Sequence, residues 1–178
     1  LIQDERDTQF RSKLGELKHT IERPFLRKME REVLTNADAI YCQSSYVKKR
    51  IKEVHGISKN KLNMLRFPVN TDRYCPTEEI DPNSVVTVGR INDPRKNTQF
   101  LLEVFSILQK EIKDAKLLLI GDKPKKKLQE QISSLNITEN VVTPGKVPEV
   151  VKYFQRAAVY VIPSHQEGLG IAGLEAMS

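Results

Sequence analysis

The sequence predicts an α/β fold in which helices cover both faces of a parallel sheet. Downstream of residue 83, short runs typical of strands alternate with segments whose apolar residues recur every three or four positions. The connections between these segments are short, which is typical of strands joined by crossover helices. Together these observations predict the Rossmann-like class for this part of the chain.

The N-terminal part is predicted to be mainly helical, with short strands. Residues 3–36 are largely charged and favour a helix, so they form one long amphipathic helix or two helices that meet at Pro24. The uncharged run 39–42 predicts a buried strand, one of the two serines that follow it can cap the next helix, and Gly56 ends that helix. The predicted boundaries after residue 36 are strand 39–42, helix 47–54 and strand 61–65.

Residues 67–83 are rich in Pro, Asn and Asp, and we interpret them as an interdomain linker. Residues 1–66 are then the end of an N-terminal domain, and residues 84–178 form a C-terminal Rossmann-like domain. The predicted strands of the second domain are 85–88, 117–120, 141–142 and 159–162, and its predicted helices are 98–113, 125–135 and 149–156.

Core packing explains the apolar pattern of helix 98–113 by itself. Five residues are predicted to share the face that packs on the sheet. They are Leu101, Val104, Phe105, Leu108 and Ile112.

Composition restricts the possible classes of protein. A net charge of +6 and a pI near 9.3 favour polyanionic partners, namely nucleic acid, an anionic membrane face or phosphate-bearing ligands. The two cysteines, Cys42 and Cys75, are far apart, which favours structural thiols over a disulfide or zinc site. No apolar run reaches the roughly 20 residues of a membrane span, and the N-terminus lacks the layout of a secretion signal, so we expect an intracellular protein.

Ligands bind at the carboxyl ends of the strands in such sheets, so the loops after Val88 and Ile162 are the candidate sites. The first loop contains Gly89, where the backbone can turn tightly, and the cations Arg90 and Lys96, which suit phosphate oxygens. For this loop taken alone, ordinary surface cations are the favoured interpretation of Arg90 and Lys96. The chain has neither a dinucleotide-binding glycine motif nor a Walker loop at this position.

The second loop leads into a helix and carries glycines and a carboxylate. Gly168 and Gly170 permit close approach of the backbone to a ligand, and the start of the helix favours an anion. Glu167 on the loop and Glu175 in the helix suit sugar hydroxyls, because carboxylate oxygens accept hydrogen bonds. His165 invites a general-base role, but a structural or incidental role is favoured because no cysteine or metal cluster accompanies it.

At these residues the sequence resembles glycosyltransferase family 4, which comprises retaining enzymes with two facing Rossmann-like domains. The resemblance covers most of the chain and is most specific from Pro163-Ser164 to Glu175-Ala176-Met177. Within that family the sequence looks like the mannosyltransferases of surface-polysaccharide biosynthesis. The other matching stretches are Val88-Gly89-Arg90, Arg95-Lys96-Asn97, Leu119-Ile120-Gly121-Asp122 and Gly145-Lys146-Val147.

The resemblance implies transfer of a sugar, mannose, from a nucleoside-diphosphate sugar to a glycan or lipid-linked acceptor, with retention of configuration. GDP-mannose is the expected donor, and neither a cofactor nor a metal ion is expected, because the chain has no Asp-x-Asp. Arg90 and Lys96 would neutralise the diphosphate, Glu167 would contact the sugar, and Glu175 would bind the ribose hydroxyls. The other implied donor-binding residues are Gly89, Gly168, Leu169, Gly170 and Ile171 for the phosphates, and Lys146 and Val147 for the base.

Two departures from the family pattern shape the remaining expectations. Lys123-Pro124 stands where the family often has a glycine, and the chain lacks the opening strands of the first domain and stops at Ser178 inside the last motif. We therefore expect a fragment that binds its donor weakly and transfers little sugar by itself. Its expected location is cytoplasmic, and the resemblance implies that a basic surface and lipid-linked acceptors would suit a protein resting on the inner face of a membrane.

Two alternatives remain open at this point. One is a non-catalytic module that binds a nucleotide sugar. The other, less favoured, is a nucleic-acid-binding protein, suggested by the net charge and by the basic patch 123–127. Only 6% of residues are aromatic and no basic stripe is interleaved with stacking residues, so nucleic acid is not the expected partner.

Overall fold

The computed structural model describes residues 13–178, with side chains from Pro24 onward. The chain divides into two compact units, Leu1–Pro68 and Val69–Ser178. The N-terminal part of the predicted first helix, residues 3–12, lies outside the described residues. No helix in the described part of the chain is long and apolar enough to span a membrane.

The described part of the first unit, residues 13–68, contains two α-helices, a short 3-10 helix and a two-stranded parallel sheet. A single helix, α1 (Lys13–Asn36), continues through Pro24, and the sheet pairs β1 (Ile40–Cys42) with β2 (Leu62–Met64). Between these strands lies α2 (Ser45–His55), which begins where the Ser44 side chain accepts a hydrogen bond from the Val47 amide. It ends at Gly56, which has the left-handed φ of 67° that glycine tolerates. The core of this unit comprises Ile40, Cys42, Ile51, Ile57 and Leu62.

The second unit is built on a four-stranded parallel sheet in the order β5-β4-β3-β6. Apolar side chains alternate between the two faces of its central strands, and both faces are buried: Leu117 and Leu119 lie on one face, and Val86 and Ile120 on the other. The strands are β3 (Asp81–Gly89), β4 (Lys116–Gly121), β5 (Val141–Gly145) and β6 (Ala157–Tyr160). The helices are α3 (Thr98–Glu111), α4 (Lys126–Ser134), α5 (Val151–Arg156) and α6 (Ile171–Ala176).

The topology confirms the predicted α/β Rossmann-like class and identifies the switch point. From β3 the chain proceeds to β4 and β5 on one side, and then crosses to β6 on the other side of β3. Ligands of open parallel sheets bind at such a reversal, in the crevice outside the carboxyl ends of the strands. The relevant crevice therefore lies between the ends of β3 and β6.

The predicted buried face of α3 requires a correction. Leu101 and Phe105 are buried as expected, but Val104 is 44% exposed and Ile112 is 42% exposed. The buried stripe instead includes Leu102, and Thr98, Leu101, Leu102 and Phe105 follow the spacing of one helical face. Ile112 lies beyond the last residue of α3, so its position is not determined by the period of that helix.

The segment predicted as a linker, residues 67–83, is mostly assigned to the second unit. The division between the units falls after Pro68, and β3 begins at Asp81. The abundance of Pro, Asn and Asp in this segment correctly indicates turns, such as the one in which the Asn70 side chain accepts from the Asp72 and Arg73 amides. Turn composition does not indicate whether the turns pack against a domain, and here they do.

Candidate functional site

A cavity of about 270 Å³ lies at the switch point of the second unit. Four segments line it: the end of β3 with its following loop, the first residue of α3, the end of β6 with its following loop, and the start of α6. The lining residues are Thr87, Val88, Gly89, Arg90, Ile91, Lys96, Thr98, Tyr160, Ile162, Pro163, Ser164, Glu167, Gly170, Ile171 and Ala172. Six of the sequence-predicted site residues are among them, namely Gly89, Arg90, Lys96, Glu167, Gly170 and Ile171.

Two glycines allow the central strands to end close together at this cavity. Gly89 and Gly121 are paired neighbours at the ends of β3 and β4. A side chain at Gly121 would overlap the carbonyl oxygen of Gly89, and the φ of 143° at Gly121 is itself unfavourable for other residues. Glycine at residue 121 therefore lets the end of β4 lie directly beside Gly89, where the loop after β3 begins.

Asp93 shapes the loop that follows β3. Its Oδ1 accepts from the Arg95 amide at 3.0 Å, and its Oδ2 accepts from Arg95 Nη2 at 2.7 Å and lies 3.3 Å from Arg90 Nη2. Hydrogen bonding from Arg95 holds the pKa of the Asp93 carboxyl below its ordinary value, although partial burial opposes this shift. The carboxylate thus fixes the backbone that carries Arg90 and Lys96.

Stability that depends on Asp93 should vary with pH. Because the folded-state pKa is lowered, the stabilisation is present above the unfolded pKa of about 3.9 and is lost as pH falls through the folded value. We expect Asp93→Asn to destabilise the chain by about 1 kcal/mol near neutral pH and by less near pH 3. Urea unfolding at both pH values measures this difference. Asp114→Asn, at an exposed position, is the control, and an equal pH dependence in the two variants would contradict the assignment.

The two site loops are joined by hydrogen bonds. The backbone amide of His165 donates to the Arg95 carbonyl at 2.9 Å, so the loop after β6 is attached to the loop after β3. This contact gives His165 a structural role through its backbone. It also holds the segment that carries Glu167 against the segment that carries Lys96.

Glu167 and Lys96 form an ion pair at the cavity. Lys96 Nζ donates to Glu167 Oε1 at 2.6 Å, and Ser164 Oγ donates to the same oxygen at 2.7 Å. The lysine and the glutamate are both about three-quarters buried, so their attraction is screened less than that of a surface pair. An anionic ligand would compete with Glu167 for the ammonium group, while the hydroxyl of Ser164 could keep the carboxylate in place.

The beginning of α6 forms another wall of the cavity. Gly170 adopts a left-handed φ of 72°, and its carbonyl accepts from the Gly173 amide at 2.8 Å. Ile171 and Ala172 border the cavity at this turn, whereas Gly168 and Leu169 do not line it. The predicted phosphate-binding backbone is therefore represented at the cavity by its second half.

Tyr160, at the end of β6, lines the cavity, and the charges of Glu167 and Glu175 both affect the pKa of its hydroxyl. Burial, followed by the negative charges of Glu167 and Glu175, raises the pKa of Tyr160 to about 12. The phenol therefore stays protonated near neutral pH and can donate a hydrogen bond. Glu175 itself does not line the cavity, and its Oε1 accepts from the Tyr74 hydroxyl at 2.8 Å.

Lys146 and Val147, the predicted base-binding residues, do not line the cavity. They follow β5, which lies at the opposite edge of the sheet from β6. The Lys146 ammonium is exposed and lies 4.0 Å from Asp122 Oδ1. The preceding Gly145 lies beside the Lys123 side chain, so the departure at Lys123-Pro124 places a cationic side chain next to Gly145.

The sequence patterns indicate no role for Tyr160 or Tyr74, and Ser164 stands out in them only as part of a motif. Ser164 could have been recognised by its position three residues before Glu167, a spacing that lets a loop hydroxyl reach a carboxylate. Tyr160 could have been noted as the polar aromatic residue at the end of a strand. No local signal indicated Tyr74, because its partner Glu175 is 101 residues away.

The family to which the chain belongs follows from comparison with known proteins. A family profile described as "Glycosyl transferases group 1" matches residues 82–178, which is more than half of the chain and contains every residue that lines the cavity. The chain belongs to the group 1 glycosyl transferases. The loops that carry Arg90, Lys96 and Glu167 are thus part of a glycosyltransferase domain.

Several relatives of this glycosyltransferase chain are informative. It is 29% identical over 154 residues to an uncharacterized glycosyltransferase of Methanocaldococcus jannaschii. The aligned region covers 80% of this chain and 38% of that protein. It is 33% identical over 52 residues to the lipopolysaccharide core biosynthesis mannosyltransferase LpcC of Rhizobium leguminosarum bv. viciae, covering 29% of this chain and 15% of LpcC. The chain spans less than half the length of these curated relatives.

Solved structures support the fold. The structure of HepE from Anabaena in complex with UDP and glucose superposes with a TM-score of 0.74 at 15% sequence identity, covering 85% of this chain and 45% of HepE. At that identity the similarity concerns the fold alone.

The described side chains include no group of three or more His, Cys, Asp or Glu residues that could hold a metal ion, and metal-independent donor binding stays a prediction.

Proposed function

We propose that this glycosyltransferase binds a nucleoside-diphosphate sugar in the switch-point cavity and transfers the sugar with retention of configuration. The observation that carries the proposal is the meeting of Arg90 and Lys96 with Glu167 at one cavity, on loops that are far apart in sequence. Cations suit the diphosphate, and a carboxylate suits the hydroxyls and the developing positive charge of the sugar. One cavity therefore offers complementary groups for both halves of such a donor.

The charges would act mainly in the transition state. As the bond between the sugar and the diphosphate breaks, negative charge builds on the phosphate oxygens and the sugar becomes cation-like. Arg90 and Lys96 would stabilise the first charge, and Glu167 the second, more strongly than either group stabilises the intact donor. The acceptor hydroxyl then forms the new bond to the same carbon atom, and its proton passes to the departing diphosphate.

Donor binding would require the Lys96–Glu167 ion pair to rearrange. The ammonium group is close enough to the carboxylate at 2.6 Å to be largely neutralised by it before a ligand arrives. A diphosphate that draws Lys96 away would leave Glu167 held by Ser164 and free to face the sugar. The donor would thereby prepare the carboxylate for its own sugar.

We further propose mannose as the transferred sugar, GDP-mannose as the donor, and a glycan or lipid-linked saccharide as the acceptor. The resemblance to the mannosyltransferases of the family and the 52-residue similarity to LpcC support this choice. The similarity to HepE, whose structure holds UDP and glucose, makes a uridine-based glucose donor the competing possibility. A direct comparison of the two bases therefore tests the proposal.

The test is calorimetric titration of the chain with guanosine diphosphate, uridine diphosphate and their mannose and glucose conjugates. Guanosine and uridine without phosphates are the controls. We expect selective binding of the guanosine ligands, lost when the phosphates are absent, because the cavity cations act on the diphosphate. Selective binding of the uridine ligands would overturn the choice of donor, and binding to none of them would overturn donor binding by this chain.

A further inference from the structure

Tyr74 is connected to the candidate site although it does not line the cavity. Its hydroxyl donates to Glu175 Oε1 at 2.8 Å. Its ring packs against Phe154 with 6.1 Å between centroids, and Phe154 in turn meets Tyr160 edge-to-face at 5.2 Å. A chain of aromatic contacts therefore connects Tyr74 to the wall of the cavity and supports its hydroxyl beside Glu175.

The backbone on both sides of Tyr74 is held in place. The Asn70 carbonyl accepts from the Tyr74 amide at 2.9 Å, within a turn that the Asn70 side chain also stabilises. On the other side, the Cys75 carbonyl accepts from Gln155 Nε2 of α5 at 3.0 Å. These contacts fix the tyrosine on the second unit, so that its hydroxyl reaches Glu175 from a defined direction.

Glu175 needs such an anchor because its own helix is short. It lies in the last turn of α6, which has six residues, and its side chain is only half-buried. A glutamate in that setting has several rotamers, and fixing one of them before a ligand arrives removes part of the entropic cost of binding. The Tyr74 bond occupies one acceptor position on Oε1 and leaves Oε2 available to a second donor.

We propose that Tyr74 is a positioning residue that orients the Glu175 carboxylate to accept hydrogen bonds from the ribose hydroxyls of the donor nucleotide. This inference rests on the proposed function and on the ribose-binding role that the resemblance to glycosyltransferase family 4 implies for Glu175, which lies three residues beyond the cavity-lining Ala172 on α6. In this arrangement the Tyr74 hydroxyl does not contact the ligand and acts on it only by orienting the Glu175 carboxylate. A purely structural role is the alternative, in which the Tyr74–Glu175 hydrogen bond only attaches residues 70–75 to α6. A ligand without ribose hydroxyls distinguishes the structural role from the positioning role.

The experiment compares guanosine diphosphate with 2′,3′-dideoxyguanosine diphosphate by calorimetric titration, with the corresponding uridine pair run alongside. It uses the unmodified chain, Tyr74→Phe and Glu175→Gln. Tyr74→Phe removes the hydroxyl and keeps the ring on Phe154. The control is Tyr153→Phe, which removes a hydroxyl from the neighbouring helix α5 and leaves the Tyr74–Glu175 bond in place.

We expect the unmodified chain and the Tyr153→Phe control to bind the ribose form more tightly than the dideoxy form. Glu175→Gln should reduce that preference about tenfold, and Tyr74→Phe about fivefold, while affinity for the dideoxy form changes little in either variant. A purely structural role would instead lower affinity for both forms equally, and this result would overturn the inference.

Failure of the inference can be distinguished from failure of the proposed function. A preference lost in Glu175→Gln but retained in Tyr74→Phe would overturn only the positioning role of Tyr74. An unmodified chain that binds both forms equally, or binds neither, would overturn the ribose-binding role of Glu175 and with it this inference. Should Tyr74→Phe fold poorly, Tyr74→His, which keeps a ring with a hydrogen-bond donor, is expected to restore part of the preference, and its failure to do so would count against the positioning role.

Discussion

Replacement of both Arg90 and Lys96 with alanine is expected to weaken binding of a nucleoside diphosphate about a hundredfold. Each cation can form a charge-assisted hydrogen bond to phosphate, and such bonds contribute about 1.5–3 kcal/mol. Arg90 is 67% exposed, so its contribution lies towards the lower end of that range, whereas Lys96 is largely buried. Calorimetric titration of the unmodified chain and the double variant measures the loss.

A matched variant separates this local effect from a general effect of charge. Lys110→Ala with Lys152→Ala removes the same number of charges from the exposed surfaces of α3 and α5, away from the cavity. We expect it to keep nearly full affinity, and we expect only proteins that retain Arg90 and Lys96 to bind more weakly as salt is raised. Equal losses in the two double variants would show that net charge, rather than the cavity, attracts the nucleotide.

Glu167→Gln is expected to reduce sugar transfer at least about a hundredfold while leaving affinity for the nucleoside diphosphate unchanged or slightly greater. The carboxylate charge acts on the cation-like sugar, so its removal affects the reacting state more than the bound nucleotide. The variant also releases Lys96 from its 2.6 Å partner, which makes the ammonium group available to phosphate. Release of nucleoside diphosphate from the donor, measured with and without an acceptor saccharide, reports the transfer.

This variant also decides between an enzyme and a module that only binds a nucleotide sugar. Glu149→Gln is the control, because Glu149 is an exposed carboxylate paired with Lys152 at 3.4 Å. Transfer should persist in the control and collapse in Glu167→Gln. Undiminished transfer in Glu167→Gln would show that the carboxylate takes no part in the reaction, and no transfer by the unmodified protein would favour the non-catalytic alternative.

Much of the second unit could be predicted because its signals are local. Short uncharged runs indicated all four strands of the sheet, and helical periodicity indicated the helices between them. The observed boundaries differ from the predicted ones by a few residues. The start of α2 at a capping serine and its end at Gly56 could also be predicted from the sequence, since both depend on residues within one helical turn. The exposed Val104 shows the limit of such reasoning, because periodicity identifies an apolar stripe but not the part of it that faces the sheet.

The sequence by itself determined the α/β class, and its motifs predicted that the loops carrying Arg90, Lys96 and Glu167 contribute to a site, but they gave no indication of Tyr160. Only the tertiary structure decided which side chains meet. Lys96 and Glu167 are separated by 71 residues, and Tyr74 and Glu175 by 101, so the strand order of the sheet and the docking of residues 70–75 bring each pair together. Local composition could not reveal these contacts, because hydrogen bonds between distant segments depend on the packed arrangement of the whole unit rather than on the neighbours of each residue along the chain.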